Sequence, residues 1–282
     1  MTDRVDAHHH VWDLAVRDQP WTADLPALRG SFGLDQLRPA LAAHRIASTV
    51  LVQTVPVPEE TPELLALAEA EPVIGGVVGW VKLTTPDVAA RIAALRTGPG
   101  GGRLVGFRHQ VQDEPDPRWL TRPAVRAGLA AVADAGLAYD LLLRPHQLPA
   151  AVEAVRALPG LRFVLDHAGK PAIAAGEFAG WRADIRALAA LPNVAVKLSG
   201  LVTEAASGWV VDDLRPWVDV LLHAFGPSRV MFGSDWPVCL LAGGYDRVIG
   251  AAETLTAHLN PAERAAVFGE SAARWYRLGV AR

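Results

Sequence analysis

Three consecutive histidines, His8, His9 and His10, stand near the beginning of the sequence. The residue types around them predict a β-strand over Val5–His10. Because side chains alternate along a strand, His8 and His10 share one face and His9 occupies the other. Two imidazoles on one face can bind the same metal ion or the same substrate oxygen. The surrounding string, Asp6-Ala-His-His-His-Val-Trp-Asp13, favours this interpretation over a purification tag or a packed histidine cluster.

A carboxylate and a further histidine occupy comparable positions later in the chain. Asp235 follows the apolar run Val230-Met-Phe-Gly-Ser234, where it could take a proton from water or ligate a metal ion. Its alternative role is to cap a following helix. His167 closes another apolar run and has Lys170 nearby, so we predict a ligand or acid role rather than a core histidine. Alternation would turn Asp166 to the other face, where a structural hydrogen bond is expected.

Weaker candidates follow three other apolar runs. Arg108 offers a planar set of donors for a carboxylate or carbonyl oxygen, although an ion pair with Asp113 or Glu114 is the alternative. His109, next to it, is a second candidate catalytic group. Four more side chains are candidates for binding substrate hydroxyls: Trp80, Lys82, Arg144 and His146.

The elements that must position these residues alternate regularly. Eight short apolar runs are predicted strands: Val5–His10, Ser48–Gln53, Val73–Val78, Leu104–Phe107, Ala138–Leu143, Arg162–Asp166, Val194–Lys197 and Arg229–Phe232. Helical segments are predicted between them: Pro62–Ala70, Pro86–Leu95, Pro123–Ala135, Pro149–Leu158, Phe178–Ala190 and Val211–Phe225. This alternation predicts a single (β/α)8 TIM barrel over residues 1–282, closed by a C-terminal helical segment at 255–276.

The position of the candidate residues supports the barrel. An open doubly wound sheet would predict a glycine-rich phosphate loop after the first strand, where this sequence has histidines. In a TIM barrel the active site forms at the carboxyl ends of the strands. The polar candidates cluster at those ends, and Gln53, Lys197 and Ser199 stand at others.

Composition excludes several classes of protein. The chain has 282 residues, 51% of them hydrophobic, and a net charge of −3, so disorder and a nucleic-acid partner are disfavoured. Its one cysteine, Cys239, cannot form an internal disulfide, which favours a reducing compartment. Neither a signal peptide nor a membrane span of about 20 apolar residues is evident. We therefore expect a cytoplasmic protein without a membrane partner; the oligomeric state is not predicted.

The motifs together resemble the amidohydrolase superfamily, and within it the branch of sugar-lactone hydrolases of the L-fuconolactonase and L-rhamnonolactonase type. The resemblance rests on the first-strand string and on Gly106-Phe-Arg-His-Gln-Val-Gln-Asp-Glu-Pro115, Tyr139-Asp-Leu-Leu-Leu-Arg-Pro-His-Gln-Leu-Pro149, Leu165-Asp-His-Ala-Gly-Lys-Pro171, Met231-Phe-Gly-Ser-Asp-Trp-Pro237 and Phe268-Gly-Glu-Ser-Ala-Ala-Arg274. It implies that His8 and His10 are the first-strand pair, His167 a later histidine and Asp235 the acid of the eighth strand.

The sequence also departs from the metal-rich members of this superfamily. A second histidine on the middle strands is missing, which argues against a two-metal site. The resemblance therefore implies one divalent ion, with zinc favoured and held by His8, His10 and Asp235, or no metal at all. No organic cofactor is expected.

These observations lead to one hypothesis and several competitors. Water deprotonated by Asp235 would attack the carbonyl of a small sugar lactone, which His8, His10 and His167 polarise. Arg108 would stabilise the oxyanion or the product carboxylate, and Asp235 or His109 would protonate the leaving alkoxide. The competitors are a metal-dependent decarboxylase of an aromatic acid, another amidohydrolase-type hydrolase and a non-catalytic sugar-binding barrel.

Overall fold

The eight predicted strands form one parallel sheet in which each strand pairs with the next along the chain. The structure, a computed structural model, describes residues 3–279; the ends of the predicted domain, residues 1–2 and 280–282, lie outside the described residues. The strands are β1 Arg4–His9, β2 Ile46–Val52, β3 Ile74–Gly79, β4 Leu104–Gln110, β5 Ala138–Leu142, β6 Arg162–Leu165, β7 Val194–Leu198 and β8 Val230–Phe232. The predicted TIM barrel is confirmed, and the largest error in a strand boundary is the end of β4.

The barrel closes just beyond the end of the short strand β8. His9 forms a parallel bridge with Trp236. The backbone N–H of His10 donates to the Trp236 carbonyl oxygen over 2.7 Å, and that of Asp235 donates to the His8 carbonyl oxygen over 2.8 Å. Closure therefore places Asp235 directly beside the first-strand histidines.

Helices cover the outside of the barrel. They are α1 Leu34–Ala43, α2 Glu60–Ala70, α3 Val88–Thr97, α4 Pro123–Asp134, α5 Leu148–Ala157, α6 Phe178–Ala189, α7 Leu201–Glu204, α8 Val211–Phe225, α9 Tyr245–Leu255, α10 Pro261–Ala265 and α11 Ser271–Tyr276. All six helices predicted from the sequence are present, whereas α1, α7 and most of α9 were not predicted. Helix α8 illustrates the packing, since Leu214, Val218, Leu221 and Phe225 bury one face at helical spacing.

The C-terminal helical segment closes the amino-terminal end of the barrel. A π-helical turn, Ala266–Glu270, joins α10 to α11. One apolar cluster contains a residue from each of the eight strands together with Trp275 and Tyr276 of α11. Arg162, the first residue of β6, donates to the Trp275 carbonyl oxygen over 2.9 Å. Because α11 blocks this end, a ligand enters from the opposite end, where the strands terminate.

The helices were compared with the length and hydropathy of membrane-spanning segments. Over residues 3–279, no helix combines the length and apolar character that crossing a membrane requires.

Candidate active site

A cavity of about 590 Å³ opens at the carboxyl ends of the strands, a size typical of small-molecule sites. Its wall includes the candidates His10, Arg108, His109, His167 and Asp235. The connection from β1 to α1 adds Arg17 and Trp21, which sequence reasoning missed because nothing in a loop sequence indicates which way it folds over a barrel.

Asp235, in the cavity wall, is surrounded by three imidazoles, of which His10 and His167 also line the cavity. Its Oδ1 atom lies 3.5 Å from His10 Nε2, 3.7 Å from His8 Nε2 and 3.9 Å from His167 Nε2. His8 and His10 share a face, as predicted, with their Nε2 atoms 3.1 Å apart. His9 points the other way, to the Thr49 hydroxyl at 2.9 Å. The Asp235 carboxylate does not cap a helix, because the N-cap position of the following helical turn is Pro237.

Each imidazole is oriented by a partner on its other nitrogen. His10 Nδ1 donates to the Val52 carbonyl oxygen over 2.7 Å, which leaves its Nε2 as an acceptor in the neutral ring. His167 Nδ1 lies 2.9 Å from the Ser199 hydroxyl, and His8 Nδ1 lies 3.0 Å from Lys197 Nζ. Such partners fix the ring orientation and the tautomer.

Burial and mutual charge set the ionisation of this group. Burial lowers the pKa of His8 and of His10, and lowers that of His167 to about 4, so the rings are neutral at pH 7. Burial alone would raise the pKa of Asp235, but His167 and His10 become charged in acid before Asp235 takes up a proton, and the charge of His167 and the contact with His10 hold the pKa of Asp235 below its usual value. The site therefore presents Asp235 as an ionised carboxylate among neutral imidazoles, which is the form that can accept a proton.

These donors fit a divalent metal ion by type and separation. The nearest donor atoms of His8, His167 and Asp235 lie within 4.8 Å of one another. Ligands at Zn²⁺ bond lengths in a tetrahedron are about 3.3 Å apart, close to the 3.7 and 3.9 Å that separate Asp235 Oδ1 from His8 Nε2 and His167 Nε2. Of the predicted donor set His8, His10 and Asp235, this group contains His8 and Asp235 together with His167, and His10 Nε2 adjoins it at 3.1 Å from His8 Nε2.

Arg108 occupies the site differently from its predicted role. Its guanidinium, which is 4% exposed, donates to Gln53 through Nε and Nη2 and to Asp166 Oδ2 through Nη1 over 3.0 Å. Nη1 also lies 3.4 Å from His8 Nε2, which can accept from it only in the tautomer that leaves this nitrogen unprotonated. The alternative considered for Arg108, an ion pair with Asp113 or Glu114, is absent from the described residues, and its ion pair is with Asp166. A hydrogen bond to an oxyanion would have to displace one of these partners, so Arg108 contributes charge and support.

His109 has both ring nitrogens engaged. The Trp80 indole N–H donates to His109 Nδ1 over 3.0 Å, so in the neutral ring Nε2 carries the proton and donates to Glu114 Oε1 over 2.8 Å. The ring also stacks on Trp119 at a centroid distance of 4.5 Å. Although His109 lines the cavity, neither nitrogen is free, so this geometry does not support the predicted proton transfer to a leaving alkoxide.

A network of buried charges lies beneath the histidines. Lys197 Nζ lies 2.6 Å from Asp140 Oδ2 and 2.9 Å from Asp166 Oδ1. The Tyr276 hydroxyl of α11 donates to the same Asp140 oxygen over 2.7 Å. Sequence reasoning missed Asp140 as a site-supporting residue. Asp140 is recognisable in the sequence as a carboxylate inside the apolar run of β5. A charge buried in this way needs a charged or hydrogen-bonding partner.

Asp166 belongs to this network rather than to the opposite face, which corrects the expectation from alternation. β6 ends at Leu165, and the chain then enters a turn in which His167, Ala168, Gly169 and Lys170 all have φ between 50° and 71°. The strand period stops before Asp166, so both Asp166 and His167 turn towards the site. Gly200 permits this approach, since a Cβ there would lie 2.6 Å from the His167 ring.

The four predicted substrate-binding residues need correction. None of them is in the wall of this cavity. Trp80 supports His109 from behind and, with Lys82, borders a separate cavity of about 550 Å³. Arg144 and His146 are exposed on a short helical turn that the Gln147 side chain fixes by accepting from the Arg144 backbone N–H. The position of a residue beyond a strand end does not determine the direction in which the following loop carries its side chain.

Comparison with known proteins places the chain in a family. The family model described as Amidohydrolase matches residues 5–278. The chain belongs to the amidohydrolase family. Among related amidohydrolases, an L-fucono-1,5-lactonase of Burkholderia multivorans is 44% identical over 98% of this chain and 96% of its own length. An L-fucono-1,5-lactonase of Burkholderia ambifaria is 39% identical over 99% and 97%.

A solved structure agrees with the fold. A Burkholderia multivorans amidohydrolase with bound zinc superimposes with a TM-score of 0.92 at 41% identity, covering 98% of this chain and all of that one. The resemblance drawn from the motifs is confirmed, and this amidohydrolase is a hydrolytic enzyme.

Proposed function

We propose that this amidohydrolase hydrolyses a small sugar lactone to its aldonic acid, with an L-fucono-1,5-lactone type of ring as the first candidate substrate. The observation that carries the proposal is the carboxylate of Asp235, ionised among three neutral imidazoles in the wall of the cavity. The names of the two Burkholderia relatives support the substrate class.

In the proposed reaction Asp235 takes a proton from water, and the water oxygen attacks the lactone carbonyl carbon. The bond between that carbon and the ring oxygen then breaks. Protonated Asp235 returns its proton to the ring oxygen, which leaves a hydroxyl group and a carboxylic acid. Asp235 thus serves both proton transfers, because His109 has no free nitrogen.

In this proposal the lactone carbonyl group binds next to the histidines. His10 and His167 line the cavity, while His8 lies behind them in contact with Lys197. A zinc ion, if bound, would be held by His8, His10, His167 and Asp235, and it would supply Lewis-acid polarisation of the carbonyl. A small-molecule substrate is the proposed partner, with neither nucleic acid nor membrane involved, and the expected cytoplasmic location stays a prediction.

The test is a hydrolysis screen over stereoisomeric aldonolactones, followed with a pH indicator, with the enzyme either chelated or supplied with zinc. The Asp235→Asn variant gives the background rate. We expect hydrolysis of at least one 6-deoxy sugar lactone well above that background. Loss of CO₂ from an aromatic acid, with no lactone hydrolysed under either metal condition, would overturn the proposal in favour of a decarboxylase.

A further inference from the structure

Three cations line the cavity, and they differ in how far the protein already uses them. Arg17 donates through both terminal nitrogens to Glu63, at 2.8 and 2.9 Å. Arg108 is bound to Gln53 and Asp166. Within residues 3–279, Lys170 makes no hydrogen bond or ion pair through its ammonium group. The one lining cation with all its donors available is therefore Lys170.

The local backbone directs Lys170 to the site at an energetic cost. Lys170 ends the turn that follows Asp166, with φ 50° and ψ 61°, and its backbone N–H donates to the His167 carbonyl oxygen over 2.8 Å. This left-handed conformation is unfavourable for residues that have a Cβ atom. Strained backbone of this kind is often retained at functional sites.

The charges around Lys170 do not neutralise it. Glu204 and Asp235 attract it, while Arg144 and Arg108 repel it, and none of them is in contact with its ammonium group. A partly buried cation without a partner, facing the same cavity as the base Asp235, is suited to an anion or to a developing negative charge.

We propose that Lys170 is a catalytic residue that donates a hydrogen bond to the lactone carbonyl oxygen as that oxygen becomes an oxyanion. This inference rests on the proposed function. It assigns to Lys170 the stabilisation of the oxyanion, which the sequence predicted for Arg108. No proton is transferred to or from Lys170 in this role. The ammonium group stabilises the oxyanion and then remains beside the carboxylate of the product.

Kinetics of Lys170 variants test the inference. Lys170→Met should lower kcat/KM for the lactone about 10²- to 10³-fold, and Lys170→Arg, which keeps the charge, should lower it less. Lys170→Gly removes the same ammonium group and accommodates the positive φ, so it should fold at least as well and lose as much activity. Arg186→Met, which removes an exposed cation on α6, serves as the matched control.

Ligand binding separates a contact with the carbonyl oxygen from other contacts. The cyclic ether that lacks only the carbonyl oxygen, a 1,5-anhydroalditol of the same sugar, should bind the wild type and Lys170→Met equally well by calorimetry. The aldonate product should bind Lys170→Met more weakly. Equal losses of affinity for the ether and for the aldonate would overturn the inference, because Lys170 would then hold a sugar hydroxyl.

The two proposals can fail separately. A wild type that hydrolyses no lactone refutes the proposed function, and the role of Lys170 with it. A wild type that hydrolyses a lactone, together with Lys170→Met and Lys170→Gly variants within threefold of its kcat/KM, refutes only the role of Lys170.

Discussion

Lys197 Nζ lies 3.0 Å from His8 Nδ1, which ties the first-strand histidine to the seventh strand. A lysine ammonium group can only donate, so in this contact His8 accepts on Nδ1 and carries its proton on Nε2. That proton points to His10 Nε2, which lies 3.1 Å from His8 Nε2, and His10 Nδ1 donates to the Val52 carbonyl oxygen. A consistent chain of hydrogen bonds thus runs from Lys197 through both histidines to the backbone.

This chain competes with a metal ion for His8. Binding of zinc at Nε2 requires the proton of His8 on Nδ1, where Asp166 Oδ1, 3.4 Å away, could accept it but Lys197 could not. We therefore expect the double variant Lys197→Met, Asp140→Asn to bind zinc about tenfold more tightly than the wild type. The second substitution removes the carboxylate that Lys197 would otherwise leave unpaired.

Zinc content after dialysis against buffered zinc, measured by elemental analysis, gives the affinities. Asp140→Asn alone is the control, because it keeps the contact between Lys197 and His8. If the double variant and this control bind zinc as the wild type does, the competition at His8 is refuted.

Asp235→Asn should abolish most turnover while preserving the fold. Asparagine has the same shape and also tolerates the left-handed conformation found at Asp235, φ 57°. It cannot accept the proton of water, so kcat should fall about 10²- to 10⁴-fold. Steady-state rates on the best lactone and a thermal melt check both expectations. A variant with more than a tenth of the wild-type kcat would show that another group is the base.

The stability of the barrel should depend on pH through Asp140. Burial raises the pKa of this carboxyl from 3.8 to about 6, against the opposing charge of Lys197. Because the folded-state pKa is the higher one, the folded protein binds the proton more tightly. The contribution is present below pH 3.8 and is lost as the pH rises through about 6.

Urea unfolding between pH 4 and pH 8 measures this contribution. Over that range the free energy of unfolding of the wild type should fall relative to that of Asp140→Asn. The slope of this difference against pH should correspond to the release of up to about one proton. Tyr276→Phe keeps the carboxyl and removes a hydrogen bond that lowers its pKa, so it should retain the slope and shift it to higher pH. If the free energies of unfolding of the wild type and Asp140→Asn change with pH in parallel, Asp140 is not the source of the pH dependence.

The sequence predicted those parts of the site that depend on strand period and fold class. Alternation placed His8 and His10 together, and the TIM-barrel rule brought His167 and Asp235 to the same end. Asp235 meets the histidines because the segment after β8 pairs with β1, a closure that any such barrel requires.

The errors arose where the strand period ends or where partners are distant in sequence. A left-handed turn reverses the expected direction of Asp166, and the loops after β3 and β5 leave Lys82 and Arg144 outside the wall of the cavity. The bonds that occupy Arg108 come from Gln53 and Asp166, more than fifty residues away in both cases. Only the three-dimensional arrangement of the strands shows that Gln53 and Asp166 occupy the donors of Arg108.

Gly200→Ala should impair catalysis through His167 rather than through stability alone. Gly200 has φ 65°, and a Cβ there would lie 2.6 Å from Cγ and Nδ1 of the His167 ring, so the ring must move. Movement would separate His167 from the Ser199 hydroxyl, now 2.9 Å from its Nδ1, and from Asp235. We expect kcat to fall at least tenfold.

Gly208→Ala is the matched control for this substitution. Gly208 also has a positive φ, 80°, but its added Cβ would have no atom within 4 Å. Both variants should therefore lose about 1–2 kcal/mol of stability from the left-handed conformation, measured by urea unfolding. Only Gly200→Ala should lose activity as well. Equal kcat values for the two variants would mean that the position of His167 does not limit turnover, since the two substitutions differ in their contact with that ring.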